Sequence, residues 1–84
     1  MTLADTLTAA RLPLADGKVL LHWANRYENG LAAYHLQKQR VGGGWEDVGS
    51  FVPGTGTYSV VASSDGRSRI LAEQVDGRSM SREF

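Results

Sequence analysis

The sequence has no cysteine, only two prolines in 84 residues, no net charge and no long apolar run. Each shortage excludes something. Without cysteine, neither a disulfide framework nor a thiolate metal site supports the fold, and the redox compartment is left open. Nine basic residues balance nine acidic ones, which removes the electrostatic footprint of a general nucleic-acid or membrane-surface binder. The partners expected are therefore proteins, copies of this chain included, or glycans. No stretch approaches the ~20 apolar residues of a membrane helix, so no membrane insertion is expected. The opening MTLADTLTAARL lacks the basic and continuous apolar regions of a signal peptide. The chain is then either cytoplasmic as made, or a mature or excised segment behind an added Met1.

Glycine is what the chain has in quantity. Nine of the ten glycines fall in short turn signals: Asp16-Gly17, Asn29-Gly30, Gly42-Gly43-Gly44, Pro53-Gly54 with Gly56, Asp65-Gly66 and Asp76-Gly77. A strand of ~5 to 6 residues plus a turn fills each gap, which is the spacing of an all-β sandwich or barrel. The expected architecture is about seven strands in one domain spanning residues 1–84, with residues 1–6 a possible N-terminal arm. Burial of apolar side chains must hold it together unaided. A domain of this size buries only roughly 60 to 65% of the surface its unfolded chain exposes, so its stability margin is thin.

Alternation supplies the faces. In KVLLHWA, Val19, Leu21 and Trp23 share one face and Lys18, Leu20, His22 and Ala24 the other. In the next run, Ala32, Tyr34 and Leu36 oppose Ala33, His35 and Gln37. The two strands are expected to lie on opposite sheets and share a core through Trp23 and Tyr34, with ANRYENG as a polar loop between them. GGGWEDVGSF places Trp45, Val48 and Phe51 at a spacing that breaks alternation and predicts a bulge or bend. GTYSVVA puts Tyr58 and Val60 on one face. Asp65-Gly66-Arg67-Ser68 recurs as Asp76-Gly77-Arg78-Ser79, which reads as a hairpin turn at each end of RILAEQV. Two segments also fit helices: Thr2 to Leu12, with Thr2 as N-cap and Asp5 at the capping-box position, and RILAEQV, which is rich in helix formers.

Together these residues resemble a fibronectin type III domain of the bacterial kind, over roughly residues 6 to 83. Val19, Leu21 and Trp23 match the family's V-x-L-x-W strand. Gly30, Tyr34 and Leu36 match its third strand, and Trp45 and Val48 the W-x-x-v that follows. The sequence departs where the family places a tyrosine in the penultimate strand: with Ala72 and Gly77 aligned, Ser68 stands there. The resemblance implies a seven-stranded antiparallel immunoglobulin-like sandwich, used as a spacer, adhesion or docking module without catalysis of its own. It also favours an extracellular, virion or filament setting.

Residues that carry chemistry elsewhere assemble into no reaction centre here. His22 and His35 fall on the faces opposite Trp23 and Tyr34 and are expected to point to solvent, without zinc or protease spacing. Ser63, Ser64 and Ser79 lack a nucleophile elbow, and VGGGW and PGTGT lack the flanking strand, helix and lysine of a phosphate loop. Glu46, Asp47 and Asp65 match no calcium loop. No metal, cofactor or catalytic residue is expected. The Asp-Gly-Arg triplets reverse the adhesion order Arg-Gly-Asp and read as turns.

What remains is contact. Trp45 is expected in the core, whereas Tyr27 sits in a polar loop and makes Arg26, Tyr27 and Asn29 the candidate binding patch. Leu3, Leu7 and Phe84 are apolar residues near the chain ends and are candidate assembly contacts. The function expected is a non-catalytic contact or self-assembling module, of filament or virion-decoration type. The alternative is a spacer, adhesion or carbohydrate-binding module from a larger secreted protein.

Overall fold

The computed structural model describes residues 6–84, and all seven elements within them are strands. These are β1 (Leu7–Pro13), β2 (Lys18–Asn25), β3 (Leu31–Gln39), β4 (Trp45–Phe51), β5 (Thr57–Ser63), β6 (Ser68–Gln74) and β7 (Ser79–Glu83). They form a three-stranded sheet in the order β1-β2-β5 and a four-stranded sheet in the order β4-β3-β6-β7, every pairing antiparallel. The two sheets make the expected β-sandwich. β1 and RILAEQV are strands rather than helices, because each lays alternate side chains into the shared core, and that burial overrides a helix propensity of a few tenths of a kcal/mol per residue. The N-terminal part of the expected helix lies outside the described residues.

Local chemistry sets the hairpins. β1 turns into β2 through Asp16 (φ 62°) and Gly17 (φ 69°), the pair of left-handed residues that matches the twist of a tight hairpin. The β6–β7 hairpin uses the second Asp-Gly-Arg, where Asp76 Oδ1 accepts the Arg78 backbone N–H at 3.0 Å. The first copy does something different. It carries the chain from β5 in one sheet to β6 in the other, so it is an arch and not the hairpin turn its sequence suggested. There Arg11 donates to the carbonyl oxygens of Ser64, at 2.5 Å, and Gly66, at 3.4 Å.

Trp23 and Tyr34, each 0% exposed, meet across the sandwich with ring centroids 6.2 Å apart. Tyr58 stacks on Trp23 at 5.3 Å, while Phe51 and Phe84 meet it edge-on at 5.0 and 6.1 Å. Leu7, Val19, Leu21, Leu36, Ile70 and Ala72 complete the buried cluster. Among the described residues, Trp23 Nε1 is buried without a hydrogen-bond acceptor.

Two bulges correct the alternation. Between β3 and β4 the register steps from Leu36↔Gly49 to Gln37↔Asp47, leaving Val48 as the extra residue. Unbroken alternation from inward Phe51 would point Trp45 inward as well. The extra residue reverses the parity, so Trp45 is half-buried on the outer face and is not the core residue the sequence implied. A second step between Leu31 and Ala33 against β6 leaves Ala32 exposed rather than beside Tyr34.

Candidate functional site

The β2–β3 loop carries the candidate patch, and the structure shows what holds it. Arg26, Tyr27 and Asn29 are all exposed, Tyr27 at 56%. The residue between them, Glu28, turns back into the sandwich. Its Oε2 accepts hydrogen bonds from the hydroxyls of Tyr34 (2.6 Å) and Tyr58 (2.5 Å), and its Oε1 accepts the Gly54 N–H (3.1 Å). One carboxylate thus ties the loop to a core tyrosine from each sheet and to the β4–β5 connection. Burial alone would raise the Glu28 pKa, but the donors from Tyr34, Tyr58, Gly54 and Gly56 outweigh it and hold the carboxyl below its ordinary value. Burial and the adjacent Glu28 carboxylate push the Tyr34 hydroxyl strongly upward, so it stays a proton donor.

The loop is fixed from its other end as well. Asn25, 1% exposed, uses its Oδ1 to accept the Tyr27 N–H at 3.0 Å. Gly30 at φ 86° closes the turn, and Leu31 N–H bonds to the Glu28 carbonyl at 3.1 Å. A shallow depression of about 400 Å³ lies beside it, walled by Arg26, Glu28, Thr55 and Thr57. This arrangement presents an aromatic ring and polar groups from a rigid base.

The outer face of the four-stranded sheet is a chain of polar contacts. The Arg69 guanidinium lies 4.4 Å over the Trp45 ring, its Nε donates to Gln37 Oε1 (2.7 Å), and Gln37 Nε2 donates to Asp47 Oδ1 (2.6 Å). Asp47 Oδ2 lies 3.5 Å from His35 Nδ1, and Glu73 Oε1 lies 3.1 Å from His35 Nε2. His35 faces outward with a side chain 23% exposed, and both its ring nitrogens face carboxylates rather than a serine hydroxyl. Glu46 lies 4.0 Å from Arg40, on the face away from Asp47, and Asp65 sits in the β5–β6 arch, so the three acids are not brought together. Arg69 covers one face of Trp45.

The outer face of the three-stranded sheet differs in kind. Its registers align Leu12↔Leu20↔Val61, Ala10↔His22↔Ser59 and Thr8↔Ala24↔Thr57 across β1, β2 and β5. Leu12 and Val61 are each 54% exposed, and none of these nine positions carries a carboxylate, lysine or arginine. Alternation had assigned Leu20 and His22 to this face. It could not align them with Leu12 and Val61, because strand pairing is not written in either strand.

The expected assembly contacts are used differently from the sequence reading. Leu7, 2% exposed, is a core residue of its own chain, and Phe84 packs edge-on against Trp23. Antiparallel β1 lays Leu7 opposite Asn25, and the partly buried Phe84 is anchored by its N–H to the Ser68 carbonyl at 3.0 Å. Leu3 lies outside the described residues. Glu28 escaped the sequence reading altogether, since its side-chain partners Tyr34 and Tyr58 stand 6 and 30 residues away and leave no local pattern. The chain matches no protein-family model, no curated protein and no solved structure.

Proposed function

We propose that this chain is a non-catalytic module of fibronectin type III-like build that works through protein–protein contact, with copies of itself as the first partner, as in a filament or a virion decoration. One observation carries the reading: the outer face of the three-stranded sheet bears the apolar row Leu12–Leu20–Val61, with Leu12 and Val61 exposed, carries charge at Lys18 beside Ser63, and ends in an open strand edge. Exposed apolar area of this kind is costly in water and is relieved by a partner. The other outer face spends its side chains on one another. A zero net charge adds no repulsion between copies.

The test is the solution mass of the chain by light scattering over a concentration series. Mass rising with concentration supports self-assembly, and a monomer at every concentration removes it. A second reading, an adhesion or carbohydrate-binding module of a larger secreted protein, is favoured by Tyr27, an exposed ring on the loop braced by Glu28. It predicts binding on a glycan array that is lost in Tyr27→Ala.

A further inference from the structure

We infer that β5 is the edge through which two copies pair, antiparallel about a two-fold axis at Val60; this rests on the self-assembly reading and names its surface. The sandwich has four edge strands, β1, β5, β4 and β7. Natural edges are guarded by charge, proline or a bulge, because an unguarded one accepts another strand. β1 carries Arg11 and Pro13, and its Leu7 carbonyl takes a hydrogen bond from Arg82 Nε at 3.3 Å. β4 carries Glu46, Asp47 and the Val48 bulge, and β7 carries Arg82 and Glu83. β5, TYSVVAS, has none of these over seven residues.

The ladder to β2 fixes which backbone groups of β5 are free. Asn25 N–H bonds to the Gly56 carbonyl at 2.9 Å, and Ser64 N–H to the Gly17 carbonyl at 2.9 Å. With the register Trp23↔Tyr58, Leu21↔Val60 and Val19↔Ala62, the even-numbered residues of β5 therefore turn their N–H and C=O groups toward β2. Thr57, Ser59, Val61 and Ser63 turn theirs to the open side, where, among the described residues, the Thr57 carbonyl is taken by Thr55 Oγ1 at 3.0 Å.

A second β5 must set odd-numbered residues opposite odd-numbered ones. Centring on Val60 does so over the whole strand: Thr57 faces Ser63 of the other copy, Ser59 faces Val61, and Val60 faces Val60. No charged side chain meets another in this register. The product is a continuous six-stranded sheet in which each Val61 packs beside a Ser59 of the other copy.

Light scattering and sedimentation of the full chain test this with two double variants at exposed positions. Ser59→Lys with Val61→Lys sets like charges directly opposite one another twice across the axis, and should raise the dimer dissociation constant about tenfold or more. Ser59→Lys with Val61→Glu sets opposite charges there and should restore the dimer; thermal melting followed by circular dichroism checks that both variants fold. A wild-type dimer with this break and rescue is the expected result. Self-association untouched by the lysine pair overturns the β5 assignment and leaves the self-assembly reading standing. A wild type that stays monomeric overturns both, and leaves the edge to an extended segment of a different protein.

Discussion

Trp23 and Glu28 carry the most at the scale of single residues, and they differ in how far the sequence announced them. Trp23 ended an alternating apolar run and was readable as core from its own strand. With four aromatic rings around it and no exposure, Trp23→Ala should cost about 3 to 5 kcal/mol in urea unfolding, and a loss below about 1 kcal/mol would contradict the packing described. Glu28 gave no such signal. Because its carboxyl is held below the ordinary 4.5, it contributes stability that is complete above about that pH and is lost as pH falls through the depressed folded value. Glu28→Gln should therefore cost about 1 to 3 kcal/mol at neutral pH, toward the lower end given its partial exposure. It should also flatten the acid limb of stability against pH, measured as urea midpoints from about pH 7 to pH 3; an acid limb as steep as the wild type's would assign that dependence to other carboxylates.

At the scale of elements, glycines separate into those the backbone requires and one it does not. Gly77 stands at φ 91° with nothing within 4 Å of an added Cβ, so Gly77→Ala meets no clash and bears only the left-handed penalty of about 1 to 2 kcal/mol. Gly49 lies in β4 outside that region, and a Cβ there would sit 3.6 Å from Phe51 Cε1, an ordinary contact. Gly49→Ala should stabilise by about 0.4 to 1 kcal/mol, chiefly by restricting the unfolded chain. Thermal melts of the two variants should move in opposite directions. Strands and turns were legible because alternation and Asp-Gly pairs are local. The face of Trp45 was not, since the bulge that sets it needs β3 as a reference, and a sequence shows only that some irregularity lies between Trp45 and Phe51.

For the whole molecule, both sheets share one aromatic cluster, so neither keeps a core when the other leaves. Unfolding should be a single transition. In Trp45→Phe, which leaves Trp23 as the one tryptophan, fluorescence and far-ultraviolet circular dichroism should report the same urea midpoint. Separate midpoints would mean that one sheet survives alone. By itself the sequence determined an all-β chain, where its turns fall, the inward faces of β2 and of β3 from Tyr34 onward, and the meeting of Trp23 with Tyr34, because periods of two residues and glycine turns act over short distances. Only the tertiary structure decided that Leu7 lies in the chain's own core with Phe84 packed against it, that Glu28 joins tyrosines from both sheets, and that β5 is the unguarded edge. Those outcomes depend on which strands become neighbours, and neighbours are chosen by the free energy of the whole packed sandwich, not by any one segment.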